Sequence, residues 1–427
     1  MQHENISNAE NYPFYLPWCM WALGLVFALL QFFTQLATGH MTGQLMQTFE
    51  LEAIGIGYLS AAFFYTFLLM QIPAGLLLDR FGTKVVLTVA LLCFTAGCWA
   101  FASAEWIVVA WIGRLLMGMG SAFGFIGMLS LAAGWFSSQY FVFIVAWSEA
   151  VVMIMVAMSQ VLLPGWIAQV GWREVILTCA ECSSILALLF ALFIRQAPSA
   201  DEQKQNGFKL SLALQQTLMS KQAWLNGLTS GTMGVLLTVF AALWGVPFLM
   251  HVHELSAEQA GWGIALVLTG IALGAPLMGW WSNRLKLRRP VLLINTFAML
   301  IGMFLLITLE NLSLFWVYSL LLFLGLTNGT YVLCFSIAKE ISLPANRNTA
   351  MGFINMLTMS GSIILQPVIG YILAWNEIDE IVEGIPHYGA ADYRYAFIVL
   401  IFSFILSCFF AWCLKETHCK DQCSSQH

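Results

Sequence analysis

Two ionisable side chains, Arg114 and Glu149, stand deep inside apolar stretches of this 427-residue chain. A charge at the centre of a membrane helix costs roughly 2.5–3.5 kcal/mol even on the insertion scale, so such residues mark solute or proton pathways by default. Both lie about ten residues, or roughly 15 Å, into predicted helices that enter from opposite faces, which places them at one level. Together they offer a guanidinium for a carboxylate, and a carboxylate for an ammonium group or a proton. The alternative is a structural ion pair that locks neighbouring helices.

Uncharged polar side chains also interrupt the apolar stretches. Gln31 and Gln35 lie one turn apart on one face of the first predicted helix, and Asn328 and Tyr331 share a face of a later helix. For each of them the alternative to solute binding is an interhelical hydrogen bond, which is common among membrane helices. The full set of uncharged candidates is Gln31, Gln35, Trp244, Asn328, Tyr331 and Asn355.

The elements that must position these residues are membrane helices. Hydrophobic residues make up 60% of the chain and charged residues 9%, against roughly 25% charged residues in soluble domains. Only helices and closed barrels satisfy backbone groups in lipid, and apolar runs this long exclude barrel strands. An all-α membrane protein of twelve helices is therefore predicted, with helices near 15–38, 52–78, 84–103, 105–129, 140–163, 172–195, 223–249, 258–281, 290–309, 312–337, 348–374 and 394–414.

One long polar stretch divides these helices into two sets of six. The predicted organisation is a cytoplasmic leader (1–14), an N-terminal bundle (15–195), a cytoplasmic linker (196–222), a C-terminal bundle (223–414) and a cytoplasmic tail (415–427).

A charged turn recurs at the same place in both halves. Residues 75–84 lie between two apolar runs, and a shift of 204 positions brings them onto a second such turn. The shift pairs Gly75 with Gly279, Asp79 with Asn283, Arg80 with Arg284 and Lys84 with Arg288. Such self-similarity indicates an internal duplication, which is typical of transporters built from parallel repeats.

The first turn, Gly75-x-Leu77-x-Asp79-Arg80-x-Gly82-x-Lys84, resembles the loop 2–3 signature of the major facilitator superfamily. The family pattern has a basic residue where Thr83 stands. Arg114-x-x-x-Gly118-x-Gly120 is similar to the family's motif on the fourth helix. The resemblance implies two pseudo-symmetric six-helix bundles that rock about a midplane site. It also implies an inner gate formed by Gly75, Asp79, Arg80, Gly82, Lys84, Gly279, Asn283, Arg284 and Arg288, where the alternative is a loop that only fixes orientation.

The resemblance further implies which helices line a cavity, namely the first, fourth, seventh and tenth. Glu181, on the sixth helix, is by the same resemblance peripheral and structural.

Basic residues set the orientation: fourteen lie on the predicted inner face and two, Arg173 and Arg394, on the outer face. Because cytoplasmic loops carry the excess of Lys and Arg, both termini are predicted to be cytoplasmic in an integral plasma (inner) membrane protein.

Several function classes have no support in the sequence. The net charge of −5 argues against a nucleic-acid partner, and no Gly-x-x-x-x-Gly-Lys-[Ser/Thr] phosphate loop is present. Cys419-x-x-x-Cys423 lacks the four ligands of a zinc site, so no metal site is predicted. A membrane enzyme is a further possibility, but no nucleophile–base or metal-ligand cluster supports it, and no cofactor is expected. The histidines and acids at predicted outer ends and loops are expected to be solvated, the alternative being that they sense external pH or bind a cation. They are His40, His251, His253, Glu254, Glu377, Asp379, Glu380, Glu383 and His387.

The sequence therefore predicts a secondary or facilitative transporter that works by alternating access in the lipid bilayer. Its expected solute is small and polar: an amino acid, a short peptide or an organic anion, with proton coupling left open. No obligate protein partner is indicated. One alternative is a multidrug/proton efflux antiporter, for which an apolar cavity rich in Met and aromatic residues would be suitable. An alternative of another class is a membrane sensor that has kept the fold without transporting.

Overall fold

The computed structural model describes residues 13, 15–136, 138–194, 210–342, 347–375, 380–382 and 385–420. Within these ranges the side chains of some residues lie outside the description, among them Asp79, Arg80, Glu149 and those of the 380–387 segment. Glu377, Asp379, Glu383 and Cys423 of the predicted loop and tail also lie outside the described residues.

The described chain is almost entirely helical. Its α-helices are α1 Tyr15–Phe49, α2 Ala53–Phe81, α3 Thr83–Ala102, α4 Ile107–Ser121, α5 Gly124–Trp135, α6 Ser138–Phe193, α7 Leu210–Met219, α8 Lys221–Val235, α9 Gly245–Val252, α10 Ala257–Leu285, α11 Arg289–Thr308, α12 Leu314–Asn328, α13 Val332–Ile341, α14 Arg347–Trp375 and α15 Ala390–Cys413. A π-helix, Leu236–Trp244, joins α8 to α9, and a 3₁₀ turn, Gly329–Tyr331, joins α12 to α13. An antiparallel hairpin pairs β1 Glu380–Val382 with β2 Ile385–His387.

Eleven helical segments of the described chain are long and apolar enough to cross a membrane. The difference from the twelve predicted helices comes from α6, which runs through the fifth and sixth predicted helices and bends at Gly171. Gly171 has φ 81°, and glycine adopts positive φ with little steric cost. The all-α membrane fold predicted from composition is thus confirmed. The predicted first helix ended at 38, whereas α1 continues to Phe49. The prediction was too short because Gln44, Thr48 and other polar residues of the last turns interrupt the apolar run.

The chain forms two compact units. The first contains Met1–Thr34, Tyr65–Met155 and Arg173–Phe208, and the second contains Gln35–Phe64, Val156–Trp172 and Lys209–His427. The boundary at 34/35 falls inside α1, so the later part of α1 packs with helices of the C-terminal half. The sequence-based division at 196–222 stays a prediction; within it, Leu210–Met219 is helical.

The two repeated turns share one backbone property. Gly82, between α2 and α3, has φ 79°, and Lys286, 204 positions later between α10 and α11, has φ 55°. Positive φ costs a residue with a Cβ roughly 1–2 kcal/mol, whereas glycine adopts it freely. The second turn therefore carries a local strain that the first turn avoids.

Replacing Lys286 by glycine should relieve that strain. We expect Lys286→Gly to be about 1 kcal/mol more stable than Lys286→Ala, since both variants lose the charge and only alanine keeps the Cβ. Thermal unfolding of the purified variants in detergent measures the difference. Equal stability of the two variants would show that the turn relaxes without cost.

Candidate functional site

Arg114 is fully buried in the first unit. Its side chain is 1% exposed, and its guanidinium lies 5.8 Å from the centre of the Phe101 ring of α3. One guanidinium nitrogen, Nη1, donates to the carbonyl oxygen of Thr34 at 3.4 Å. Hydrogen bonds of this type are normally 2.7–3.2 Å long, so this one is weak. A stronger acceptor could therefore replace the Thr34 carbonyl oxygen at Nη1 of Arg114.

Glycines bring α3 close to α4 around Arg114. A Cβ on Gly113 would lie 2.7 Å from the backbone nitrogen of Phe101, and one on Gly97 would lie 2.5 Å from that of Met117. Real Cβ contacts are not this short, so larger residues would force the helices apart. This close packing fixes the position of α4 along α3, and with it the position of the buried Arg114 side chain in the first unit. The side chain of Glu149 lies outside the described residues, and its pairing with Arg114 stays a prediction.

The side chain of Gln31 accepts a backbone hydrogen bond where the chain is interrupted between two helices. The fourth predicted helix is interrupted between α4 and α5, and the Oε1 atom of Gln31 accepts a hydrogen bond from the Phe125 N–H at 3.0 Å. A Cβ on Gly124 would lie 2.6 Å from that same oxygen. Buried N–H groups at a helix start need such a partner. Gln31 thus has an interhelical role, the alternative that the sequence left open.

Gln35 behaves differently from Gln31. It is 1% exposed, and neither its amide nitrogen nor its amide oxygen has a hydrogen-bond partner within the described part of the chain. Leaving buried polar groups unpaired costs roughly 1–3 kcal/mol per group. One turn further along α1, a Cβ on Gly39 would lie 3.1 Å from the Leu243 carbonyl oxygen. This face of α1 therefore packs directly on the π-helix.

Several helix contacts inside the second unit depend on glycine in the same way; we call them the glycine seam. They join the segments 35–64 and 156–172 to helices of the C-terminal half. A Cβ on Gly57 would lie 2.7 Å from the Gln366 carbonyl oxygen, and one on Gly261 would lie 2.4 Å from that of Gln160. A Cβ on Gly370 would lie 2.3 Å from the Ala53 carbonyl oxygen. The seam is thus a set of contacts between glycines and backbone.

Polar contacts accompany the seam. His40 and Gln160 share a hydrogen bond of 3.0 Å between Nε2 and Oε1. The Trp172 N–H donates to the Oε1 atom of Gln44 at 2.9 Å, and the Ala53 N–H donates to the Tyr388 hydroxyl at 3.0 Å. His40 therefore has a buried partner, in contrast to the solvated residue that the sequence suggests.

Gln366 clamps the π-helix. Its amide nitrogen donates to the Thr238 carbonyl oxygen at 2.6 Å, and the Trp244 indole N–H donates to the Gln366 carbonyl oxygen at 3.0 Å. Long π-helical segments are rare and are often found at functional sites. The sequence indicated Trp244 as a candidate but missed Gln366. The signal that could have indicated Gln366 is its position directly before Pro367 in an apolar helix.

The other uncharged candidates have mixed surroundings. Asn328 is buried, and its amide nitrogen donates to the Met233 carbonyl oxygen at 2.8 Å, which again joins two helices. Tyr331 and Asn355 are half-buried. Glu181 is exposed on the surface of the described helices. His251 and His253 each bond a backbone carbonyl oxygen, of Pro247 and Leu306 respectively.

The predicted gate residues of the second turn form part of a charged cluster, which we call the α10–α11 cluster. Arg288 is 7% exposed and makes a 2.8 Å salt bridge with Glu340 at the end of α13. Its Nη1 atom also donates to Ser282 and Asn283, at 3.0 and 2.9 Å. Arg284 is exposed, and a Cβ on Gly279 would meet nothing within 4 Å.

Residues just after α15 complete this cluster. Glu416 accepts hydrogen bonds from the N–H groups of Arg288 and Arg289 at the start of α11, both at 2.9 Å. The Thr417 hydroxyl donates to Glu340 at 2.5 Å. Burial alone would raise the pKa of the Glu416 carboxyl, but its backbone hydrogen bonds outweigh burial and lower that pKa. Glu340 and Glu416 were not indicated by the sequence, because nothing in their local context distinguishes them from solvated carboxylates.

The chain matches the family model described as Major Facilitator Superfamily over residues 21–255 and 228–422. The chain belongs to this superfamily. The two matches overlap and together cover both halves, in agreement with the internal duplication. This membership confirms the family that the first charged turn resembles, and it makes the protein a transporter of small solutes in a membrane.

Several curated relatives match most of the chain, and two of them have named solutes. The chain is 25% identical over 373 residues to the "Probable galactarate/D-glucarate transporter GudP" of Bacillus subtilis (strain 168), covering 79% of this chain and 81% of the relative. It is 24% identical over 382 residues to the "Gentisate transporter" of Corynebacterium glutamicum, covering 83% and 81%. Among solved structures, an inward-facing, unoccupied bacterial homologue of the human lysosomal transporter Spinster aligns with a TM-score of 0.75 and 14% identity, covering 94% of this chain and 97% of that one. The structural likeness shows the fold.

The Arg288–Glu340 pair gives a prediction for this superfamily member. Glu340→Gln should lower the free energy of unfolding by about 3–5 kcal/mol, because it leaves the Arg288 charge buried without its carboxylate. The double variant Arg288→Gln/Glu340→Gln should recover most of that loss. Thermal unfolding in detergent provides the measurement, and additive losses in the double variant would mean that the pair is not coupled.

Proposed function

We propose that this transporter carries a small hydroxylated organic anion, of the sugar-acid class, by alternating access. The observation that carries the proposal is the buried Arg114, whose contact with the Thr34 carbonyl oxygen is long at 3.4 Å. A carboxylate accepts two parallel hydrogen bonds from a guanidinium, and such charge-assisted bonds are roughly twice as strong as neutral ones. An arriving carboxylate would therefore displace the carbonyl contact.

The names of the two relatives reported above support a hydroxylated organic anion, and that of GudP supports the sugar-acid class. Galactarate, D-glucarate and gentisate are all carboxylates that bear hydroxyl groups, and none of them bears an ammonium group. The amino acid or short peptide suggested by the sequence has no such support. Glu149 keeps its predicted role as a partner of Arg114. A solute carboxylate that competes for Arg114 frees Glu149 for a proton, which would couple uptake to protons.

A binding screen tests the solute class. Purified protein is heated with galactarate, D-glucarate, gentisate, neutral sugars, amino acids and a lipophilic cation. A ligand that binds the folded state raises its stability by RT ln(1 + [L]/Kd), about 2.7 kcal/mol at a hundred times Kd. We expect stabilisation by the hydroxylated acids. Stabilisation by the lipophilic cation alone would instead favour the multidrug alternative.

Arg114 should be required for the anion. We expect Arg114→Lys to weaken anion binding by at least about tenfold, because a point charge does not replace a bidentate fork and each 1.4 kcal/mol is a factor of ten. Binding by thermal shift and uptake into vesicles are measured on the same preparation. Wild-type binding by a folded Arg114→Lys protein would contradict this role.

The glycine seam should be required for alternation rather than for binding. Gly57→Ala places a Cβ 2.7 Å from the Gln366 carbonyl oxygen, so α2 cannot approach α14 as closely and uptake should fall severalfold. Gly165→Ala is the matched control, because a Cβ there meets nothing within 4 Å. If both variants transport at the same rate, close approach at the seam is not needed for the transport cycle.

A further inference from the structure

Five exposed basic side chains lie at one end of the second unit: Lys221, Arg284, Lys286, Lys339 and Lys415. They come from different parts of the chain: the start of α8, the α10–α11 turn, the last turn of α13 and the second residue after α15. None of the five makes a salt bridge within the described ranges. We call this group the basic rim.

Hydrogen bonds between the helix ends show that the basic rim is one surface. The Lys415 N–H donates to the side chain of Gln222, next to Lys221, at 2.9 Å. Glu416 bonds the N–H groups of Arg288 and Arg289, which ties the end of α15 to the α10–α11 turn. The Arg288–Glu340 salt bridge brings in the end of α13, where Lys339 lies. The charges therefore converge on the α10–α11 cluster.

The acidic side chains described at this end do not neutralise the rim. Glu340 is 7% exposed and is occupied by Arg288 and Thr417. Glu416 accepts its hydrogen bonds from four backbone N–H groups, those of Arg288, Arg289, Thr417 and His418. Both carboxylates are thus committed to internal contacts, and the side chains that project outward are basic.

Exposed indoles mark the depth of the rim. Trp280 is 63% exposed four residues before Arg284, and Trp412 is 62% exposed three residues before Lys415. Trp224, three residues after Lys221, is 39% exposed. Trp side chains are enriched at the headgroup level of the bilayer, and one helical turn spans about 5.4 Å. The basic side chains therefore extend from the indoles into the headgroup layer.

We propose that the basic rim is a binding surface for anionic phospholipid headgroups. Its Lys and Arg side chains place several positive charges at the depth of the lipid phosphates. The neighbouring apolar and indole side chains would contact the acyl chains. Clusters of Lys and Arg next to membrane helices bind anionic lipid, and each basic group near the surface raises the affinity about fivefold. This inference goes beyond the proposed solute and does not depend on it.

The test uses the full chain purified in detergent and titrated with phosphatidylglycerol or phosphatidylcholine in mixed micelles, with thermal unfolding as the readout. Phosphatidylglycerol should stabilise the wild type, and phosphatidylcholine should not. The triple variant Lys221→Gln/Arg284→Gln/Lys415→Gln should need about a hundredfold more phosphatidylglycerol for the same effect. The matched control Lys221→Arg/Arg284→Lys/Lys415→Arg keeps the charges and should respond as the wild type does.

Three results would overturn the proposal. The first is equal stabilisation of the wild type by both lipids, and the second is an unchanged response of the triple variant. The third is that glycerol phosphate added to phosphatidylcholine micelles stabilises as well as phosphatidylglycerol, which would assign the rim to a free phosphate. If the triple variant does not fold, Lys286→Gln/Lys339→Gln provides the same comparison with about a 25-fold expected effect.

Discussion

The structure depends on one constraint, which is that a backbone N–H or C=O group in lipid must find its partner inside the protein. Helices meet this constraint along most of the chain, and side chains meet it where a helix is broken or distorted. Gln31 serves the break between α4 and α5, and Gln366 serves the π-helix. Asn226 donates to the Cys334 carbonyl oxygen in the same manner. Many buried polar residues of this transporter are therefore partners of the backbone.

The same constraint explains why glycine dominates the close helix contacts. A helix surface without a Cβ exposes backbone that another helix can cover, and contacts of this kind exclude lipid from polar groups. In the first unit they hold α3 against α4, and in the second they form the glycine seam. The first set positions Arg114, whereas the second joins parts of the N-terminal half of the sequence to the C-terminal half.

The sequence was sufficient for the fold because the fold rests on composition and repetition. Apolar runs predicted the helices, and the turn at 75–84 with its copy at 279–288 predicted the duplication and the superfamily. The roles of individual polar residues could not be predicted in this way. Gln31 and Gln35 are one turn apart and chemically identical, yet one caps a broken helix and the other has no described partner. The partner of Gln31 is the N–H of Phe125, which lies 94 residues away in the sequence, so no local pattern could distinguish the two glutamines.

A similar limit applies to charge. Arg288 and Arg284 both belong to the repeated turn, but the first is buried on Glu340 and the second is exposed. Glu340 and Glu416 reach Arg288 from helix ends 52 and 128 residues away. Local patterns predict that basic residues cluster at one face of the membrane; only the packing decides which of them stay available to lipid.

The amide of Gln35, which has no hydrogen-bond partner among the residues that the structure describes, has a consequence for the transport cycle. Burying it without partners makes the arrangement seen here less favourable by about 1–3 kcal/mol, and every 1.4 kcal/mol changes a population ratio tenfold. Any conformation in which water reaches Gln35 recovers that free energy. Transport requires a carrier to pass repeatedly between conformations, and a conformation that is too stable slows this exchange. The burial of the Gln35 amide therefore favours, by this amount, conformations in which water hydrates it over the arrangement seen here.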